Sequence, residues 1–220
     1  MALLEIVCAS ANPDKVREIE ELFREHLGDV VTLLPRPAHV PDVEENADTL
    51  LGNARLKAQA IVAATGRPAV ADDTGLFVEA LPGELGVRTA RYASDRPEHA
   101  TDPYGANRRK LLESLEARGC TTPDSRRARF VTVAVIMWPS GKELVVEGEC
   151  RGTISPDERG EHGFGFDPLF VPDETSGSDL HGATFAELGE ATKNRISHRA
   201  RAFHALAERL RSISGDLPAP

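Results

Sequence analysis

LLEIVCASANPDK, residues 3–15, decides how the rest of the chain is read. Residues 3–9 are a short apolar run, the pattern of a buried strand. The run ends in Ser10, Ala11, Asn12, Pro13, Asp14 and Lys15. Asn12 suits a helix N-cap, because its side-chain oxygen can accept from an orphan backbone N–H, and Pro13 suits the first helical position. Val16, Ile19, Leu22, Phe23 and Leu27 then recur at helical spacing. Strand, tight turn and helix follow one another, and the helix start offers unpaired N–H groups and a partial positive charge to an anion. Lys15 adds a full charge, although an ordinary capped helix has the same pattern.

Outward from this unit, Pro35, Pro37 and Pro41 mark a connection leading to the acidic pair Glu44 and Glu45. Asp48 or Thr49 is placed to cap a second helix that runs to about residue 65. Its apolar face is Leu50, Ala54, Ala58, Ile61 and Val62, and Gly66 suits the residue after the helix. Residues 69–71 read as a short buried strand ending at Asp72, Asp73, Thr74 and Gly75. Residues 82–103 look irregular, and a helix is expected over about 104–118. Residues 129–138 and 143–149 read as two strands, joined by a turn at residues 139–142. A last helix is expected over 197–213, with Ile196, Phe203, Leu206 and Leu210 inward, and residues 216–220 as a frayed tail. Helices alternate with strands early and a hairpin follows, which predicts an α/β fold with a mixed sheet.

Composition narrows the function classes. The 220 residues carry 26 Lys and Arg against 35 Asp and Glu, a formal net charge of −9. That balance argues against nucleic acid or an anionic membrane as partner. Three scattered cysteines without a CxxC pair argue against a zinc site or a disulfide framework. The chain start lacks the basic segment of a signal peptide, and the apolar stretch at 131–138 is too short to span a bilayer, so a cytoplasmic setting is expected.

Four segments combine polar groups with awkward backbone. The first is residues 10–15. The second joins Glu44 and Glu45 to Asn53 and Lys57, which share a helix face one turn apart. Paired carboxylates before a helix suit a hard cation, or equally a solvated helix edge. The third is Asp72 and Asp73 at an expected strand end, where burying a carboxylate without a compensating cation costs several kcal/mol. The fourth is GFGFDP, residues 163–168, with Lys193, His198 and Arg199. There Phe164 offers a ring to a base, and His198 and Arg199 offer donors to carbonyl or phosphate oxygens. Cations and carboxylates together fit a metal-bound polyphosphate better than a bare anion.

These motifs resemble the Ham1/RdgB inosine-triphosphatase-like pyrophosphatases almost end to end. The resemblance rests on ASANPDKVREIEELF (9–23), EENADTLLGNARLKA (44–58), AVADDTGLFVEAL (69–81), GVRTARYA (86–93), GFGFDPLF (163–170) and FAELGEATKNRISHRARA (185–202). It implies one domain over residues 1–215, an elongated mixed sheet whose helices form two lobes around a central nucleotide-binding cleft. It also implies Mg²⁺-dependent hydrolysis of ITP, dITP and XTP to the monophosphate and pyrophosphate, usually by a homodimer, in sanitation of the nucleotide pool.

Carried over by motif position, Ser10, Ala11, Asn12, Pro13, Asp14 and Lys15 would bind phosphates. Glu44 and Asp73 would hold Mg²⁺, with Asp73 also accepting the proton of the attacking water. Lys57 would neutralise charge on the phosphates, and Thr74 stands where Ser is usual. Phe164, Gly165, Phe166, Asp167, Lys193, His198 and Arg199 would hold base and sugar. A donor from His198 or Arg199 would match a 6-oxo group and be left unpaired by adenine. Gly52 stands where many relatives have Glu, His162 replaces a common Gly, and the loop at 175–182 runs slightly long. A Maf-like pyrophosphatase and a noncatalytic nucleotide-binding protein are the other two readings.

Overall fold

The computed structural model describes residues 4–28 and 30–213. Leu3 and the tail at 216–220, both subjects of sequence expectations, lie outside the described residues. The first strand, β1 (Leu4–Cys8), leads into α1 (Pro13–Leu27), and the Asn12 side chain accepts from the N–H groups of Asp14 and Lys15. Ile19, Leu22, Phe23 and Leu27 are buried on one face of α1. Glu18 is buried with them, one helical turn before Leu22.

The next strand, β2 (Val31–Leu34), was not expected from the sequence. It pairs parallel to β1 in the register Leu4↔Val31 to Val7↔Leu34. Helix α2 (Leu50–Thr65) starts on Thr49, whose hydroxyl accepts from the Gly52 N–H, and ends at Gly66 in the left-handed region, φ 64°. The chain then returns as β3 (Ala69–Val78), parallel to β1 with Cys8 opposite Val70. A helix in each crossover is what parallel neighbours require.

Here one expectation is corrected. Asp72 and Asp73 do not end a three-residue strand; they lie within β3, which continues to Val78. Beyond Gly75 the chain supplies Leu76, Phe77 and Val78, good strand formers that prolong the extended backbone. Strand side chains alternate between faces, so the two acids point opposite ways.

Residues 82–103 hold two short 3₁₀ segments, Gly86–Arg91 and Pro97–Ala100. They lead to α3 (Pro103–Ala117), capped by Asp102. Strands β4 (Arg127–Met137) and β5 (Glu143–Ile154) are longer than the sequence suggested, and the turn between them closes with Gly141 N–H donating to Trp138 O. Strand β6 (Phe170–Pro172) pairs antiparallel to β5, with Ile154 opposite Phe170. Three helices follow: α4 (Phe185–Leu188), α5 (Glu190–Ile196) and α6 (His198–Ile213). The six strands form one mixed sheet in the order β2-β1-β3-β4-β5-β6.

The chain divides into two compact units. Unit 1 comprises residues up to 73 with 132–148 and those from 199 onward, and unit 2 comprises 74–131 and 149–198. The core of unit 1 joins Ile6, Ile19, Leu22, Phe23, Val70, Ile136, Phe203, Leu206 and Leu210. That of unit 2 joins Leu76, Leu111, Leu115, Phe130, Leu169, Phe170 and Phe185. Ile196, expected inward with the last helix, packs on the core of unit 2. No helix among the described residues is long and apolar enough to cross a membrane.

Candidate functional site

Unit 1 gathers the charged residues of the first three motifs. Asp73 is 5% exposed, and its two oxygens meet two residues of α2. Lys57 Nζ donates to Oδ1 at 3.2 Å, and Asn53 Nδ2 donates to Oδ2 at 3.2 Å. Lys57 and Asn53 reach the same carboxylate because residues four apart share a helix face. The Asn53 amide is oriented by its other side, where Oδ1 accepts from the Ala47 N–H at 3.0 Å. The loop before α2, the helix and β3 are therefore joined through one buried amide.

Lys57 also pairs with Glu45 at 3.2 Å. Of the two adjacent glutamates, Glu45 rather than Glu44 makes this ion pair; Glu44 is exposed. The loop comes this close to α2 because position 52 is glycine. A Cβ there would fall 2.5 Å from that of Ala47. The absence of a carboxylate at Gly52 thus coincides with a loop folded over that position.

Asp72, on the opposite face of β3, takes a different set of partners. Arg199 approaches it through Nε at 3.3 Å and Nη2 at 3.1 Å, and Nη1 of the same guanidinium meets Glu18 at 2.5 Å. Lys15 lies 3.5 Å from Asp72. Only 2% of the Arg199 side chain is exposed. The guanidinium that the motif assigned to base and sugar is held by two buried carboxylates of unit 1. A fork of five donors suits such bridging, and burial of a lone carboxylate requires it.

The two acids differ electrostatically as well. Burial acts to raise the Asp72 carboxyl, but Lys15, Arg199 and Lys57 outweigh it and hold the group far below the carboxylate range. For Asp73 burial wins and the carboxyl is raised, with Lys57 and Lys15 pulling it down and Glu45 adding to the rise. Burial opposes the charge on Lys57, yet Asp73, Asp72 and Glu45 together raise it. Lys15 is lowered, chiefly by burial, with Asp72 opposing and Lys57 and Arg199 reinforcing the effect. Asp72 is thus fixed as an anion, while Asp73 is the more basic carboxylate of the two. Ser10 and Asn12 complete the turn before α1, the Asn12 N–H donating to Ser10 Oγ at 3.3 Å.

Unit 2 carries the fourth motif. The Asp167 carboxylate accepts from the Phe164 N–H at 2.8 Å and from Lys193 Nζ at 2.6 Å. Lys193 also lies 4.9 Å above the centre of the Phe164 ring. Gly163 has φ 75°, and a Cβ on it would strike the Asp167 carboxylate, so only glycine serves there. Phe166 is buried in the core of unit 2, while Phe164 keeps part of its ring exposed. His198 stacks on Phe130 at 4.5 Å and 18°. Thr74 is half-buried on β3.

The sequence reading missed Glu18, Tyr104 and Arg108. Glu18 shares the α1 stripe of Leu22, which is the one signal that sets it apart from the solvated acids around it. Tyr104 lies 6.1 Å from Phe164, and Arg108 Nη1 donates to the Gly165 carbonyl at 2.9 Å. Neither belongs to a motif with a recognisable spacing.

The chain is thus a mixed-sheet α/β protein with an acid on β3 paired to a helix lysine, and a Gly–aromatic–Asp turn paired to a lysine of α5. Two curated relatives resemble it at the level of sequence. The dITP/XTP pyrophosphatase of Rhodospirillum centenum is 42% identical over 206 residues, covering 93% of each chain. That of Porphyromonas gingivalis is 42% identical over 204 residues, covering 93% of this chain and 96% of its own. Among solved structures, a HAM1 protein from Coxiella burnetii matches with a TM-score of 0.79 and 37% identity, covering 96% of this chain and 100% of the other. The Staphylococcus aureus Ham1 protein matches with a TM-score of 0.75 and 36% identity, covering 94% and 98%. The chain belongs to the Ham1 family, whose model matches residues 6–209.

Proposed function

We propose that this chain hydrolyses noncanonical purine nucleoside triphosphates, dITP, XTP and ITP, to the nucleoside monophosphate and pyrophosphate. The observation that carries the reading is the Asp73 carboxylate, raised in basicity and set against Lys57 and Asn53, in a chain whose full-length relatives are dITP/XTP pyrophosphatases. In unit 1, Ser10, Ala11, Asn12, Pro13, Asp14 and Lys15 bind the phosphates through the helix N-terminus and the lysine. Asp73 orients a water and takes its proton as the oxygen attacks the α-phosphorus. The bond from that phosphorus to the bridging oxygen breaks, and pyrophosphate leaves with the bond electrons. Lys15 and Lys57 balance the charge that develops. In unit 2, Phe164 stacks on the base, while Gly165, Phe166, Asp167, Lys193 and His198 shape the surface that receives it.

Glu45 and Asp73 both pair with the Lys57 ammonium, and their carboxylate oxygens are donors of the kind a hard divalent ion takes. Among the described residues, no three His, Cys, Asp or Glu side chains stand grouped as a metal site. Asp73, with Glu44 and Glu45, would hold Mg²⁺, whose charge neutralises the polyphosphate when bound. Arg199 serves by fixing Asp72, and with it the strand that presents Asp73. We take the enzyme to act as a homodimer, as the family resemblance implies, and in the cytoplasm, as the sequence reading expects. The Maf-like reading is not favoured, since the relatives matched over nearly the whole chain carry the dITP/XTP name.

The test is to incubate the protein and Mg²⁺ with dITP, XTP, ITP, GTP, ATP or a pyrimidine triphosphate and to identify the phosphate released. Pyrophosphate from dITP, XTP and ITP, with little from ATP, is expected. Orthophosphate release, or turnover of no purine triphosphate, sinks the reading. Asp73→Asn should lower turnover by at least about a thousandfold, consistent with loss of a proton acceptor together with a metal ligand. Nucleotide binding should largely survive, and retained turnover would remove Asp73 from its role.

A further inference from the structure

Tyr104 stands in the first turn of α3 and has no part in the chemistry set out above. Its ring lies 6.1 Å from that of Phe164, inclined at 40°. Lys193 Nζ bears on the same Phe164 ring from 4.9 Å. Tyr104 and Phe164 are both half-buried, and neither belongs to the apolar core of unit 2. A pair that served only packing would be sealed in that core; this one keeps ring surface open.

Its placement is secured by contacts on both sides. Asp102 caps α3 by accepting from the Gly105 N–H at 2.8 Å, and Pro103 occupies the first helical turn. One turn further on, Arg108 donates from Nη1 to the Gly165 carbonyl at 2.9 Å and pairs through Nε with Glu158 at 2.9 Å. Arg108 thereby ties the start of α3 to the turn that carries Phe164. Tyr104 and Phe164 face each other across a connection made by neither ring.

We propose that Tyr104 is a positioning residue of the base-binding surface, holding the Phe164 ring in the orientation that receives the face of a purine. The proposal rests on the nucleotide reading above and extends it to a residue outside its motifs. Aromatic pairs have a preferred geometry, and Phe rotates easily about its side-chain bonds when one neighbour is removed. Without Tyr104, the share of Phe164 ordering that it supplies must come from the arriving base, while Lys193 still bears on the ring. That cost falls on binding and leaves the chemical step at Asp73 untouched.

The experiment compares wild type with Tyr104→Leu, Tyr104→Gln and Tyr104→Phe in two assays. One measures calorimetric binding of inosine monophosphate, which needs no turnover, and the other KM and kcat for dITP and XTP. Loss of an aromatic pair corresponds to about two- to tenfold in an equilibrium constant. Tyr104→Leu and Tyr104→Gln should therefore weaken inosine monophosphate and raise KM by about that factor, with kcat within twofold. Tyr104→Phe should restore both values, because the ring and not the hydroxyl does the positioning. Unchanged binding in Leu and Gln, a loss confined to kcat, or no rescue by Phe overturns the proposal. Wild type that binds the monophosphate and hydrolyses no triphosphate would overturn the activity reading alone, since the binding arm still decides the role of Tyr104.

Discussion

Arg199, which the family resemblance assigns to base and sugar, is in this structure the bridge between two buried acids. Its guanidinium bridges Asp72 and Glu18 inside unit 1, and Lys15 shares Asp72. Replacing it with Met keeps much of the volume and removes the charge. Asp72 and Glu18 would then face each other without the guanidinium between them, and Asp72 would keep Lys15 and Lys57 as its nearby cations. Breaking a buried pair by removing one partner costs about 3–5 kcal/mol, so Arg199→Met should lower unfolding stability by that amount in a guanidinium titration. Adding Asp72→Asn to that variant should recover part of the loss. A cost below about 1 kcal/mol would mean that the bridge is dispensable.

At the scale of elements, α1 joins folding to function through its first turn. Asn12 accepts from Asp14 N–H at 2.9 Å and from Lys15 N–H at 3.1 Å. Asn12→Ala should cost about 1 kcal/mol in denaturant unfolding and weaken triphosphate binding, because the N–H groups it orders belong to the proposed phosphate site. Stability loss without any rise in KM would separate the cap from the site. This element was legible in the sequence almost to the residue, as was α2 with Thr49 and Gly66. Both declare themselves through caps and a 3.6-residue apolar period, which are local properties. The full length of β3 was not legible. Two adjacent acids look like the end of a strand until the lysines and the arginine that neutralise them are in place, and those come from residues 15, 57 and 199. For the same reason Asp73 and the Asn53–Lys57 face stood out as candidates while the bridge from Glu18 to Arg199 did not. Long-range charge compensation leaves no period to read. The strand β2 escaped for a simpler reason: four residues are too few to establish alternation.

At the scale of the whole molecule, Cys8 is one group that sets how stability responds to alkali. Cys8 is buried in the core of unit 1, and burial pushes its thiol from 9.0 up to about 11. A raised thiol keeps its proton in the folded chain after the unfolded chain has lost it. The contribution is therefore fully present below about pH 9 and is lost as the pH rises towards about 11. A rise of that size corresponds to at most about 2–3 kcal/mol of stability. Cys8→Ala should start somewhat less stable, and its stability should fall less steeply than that of wild type between pH 9 and 11. Parallel curves in denaturant titrations across that window would assign the alkaline loss to other groups.

The alternation along β3 has a consequence for inheritance. Asp72 and Asp73 are neighbours in the chain, yet one faces Arg199 and Lys15 and the other faces Lys57 and Asn53. Loss of a single codon before them would leave both aspartates in the product but move Asp73 into the place of Asp72 and Thr74 into the place of Asp73. Lys57 and Asn53 would then meet a hydroxyl in place of a carboxylate, with composition almost unchanged. Selection on this strand therefore acts on register as much as on residue identity, and a deletion that removes neither acid still removes the site.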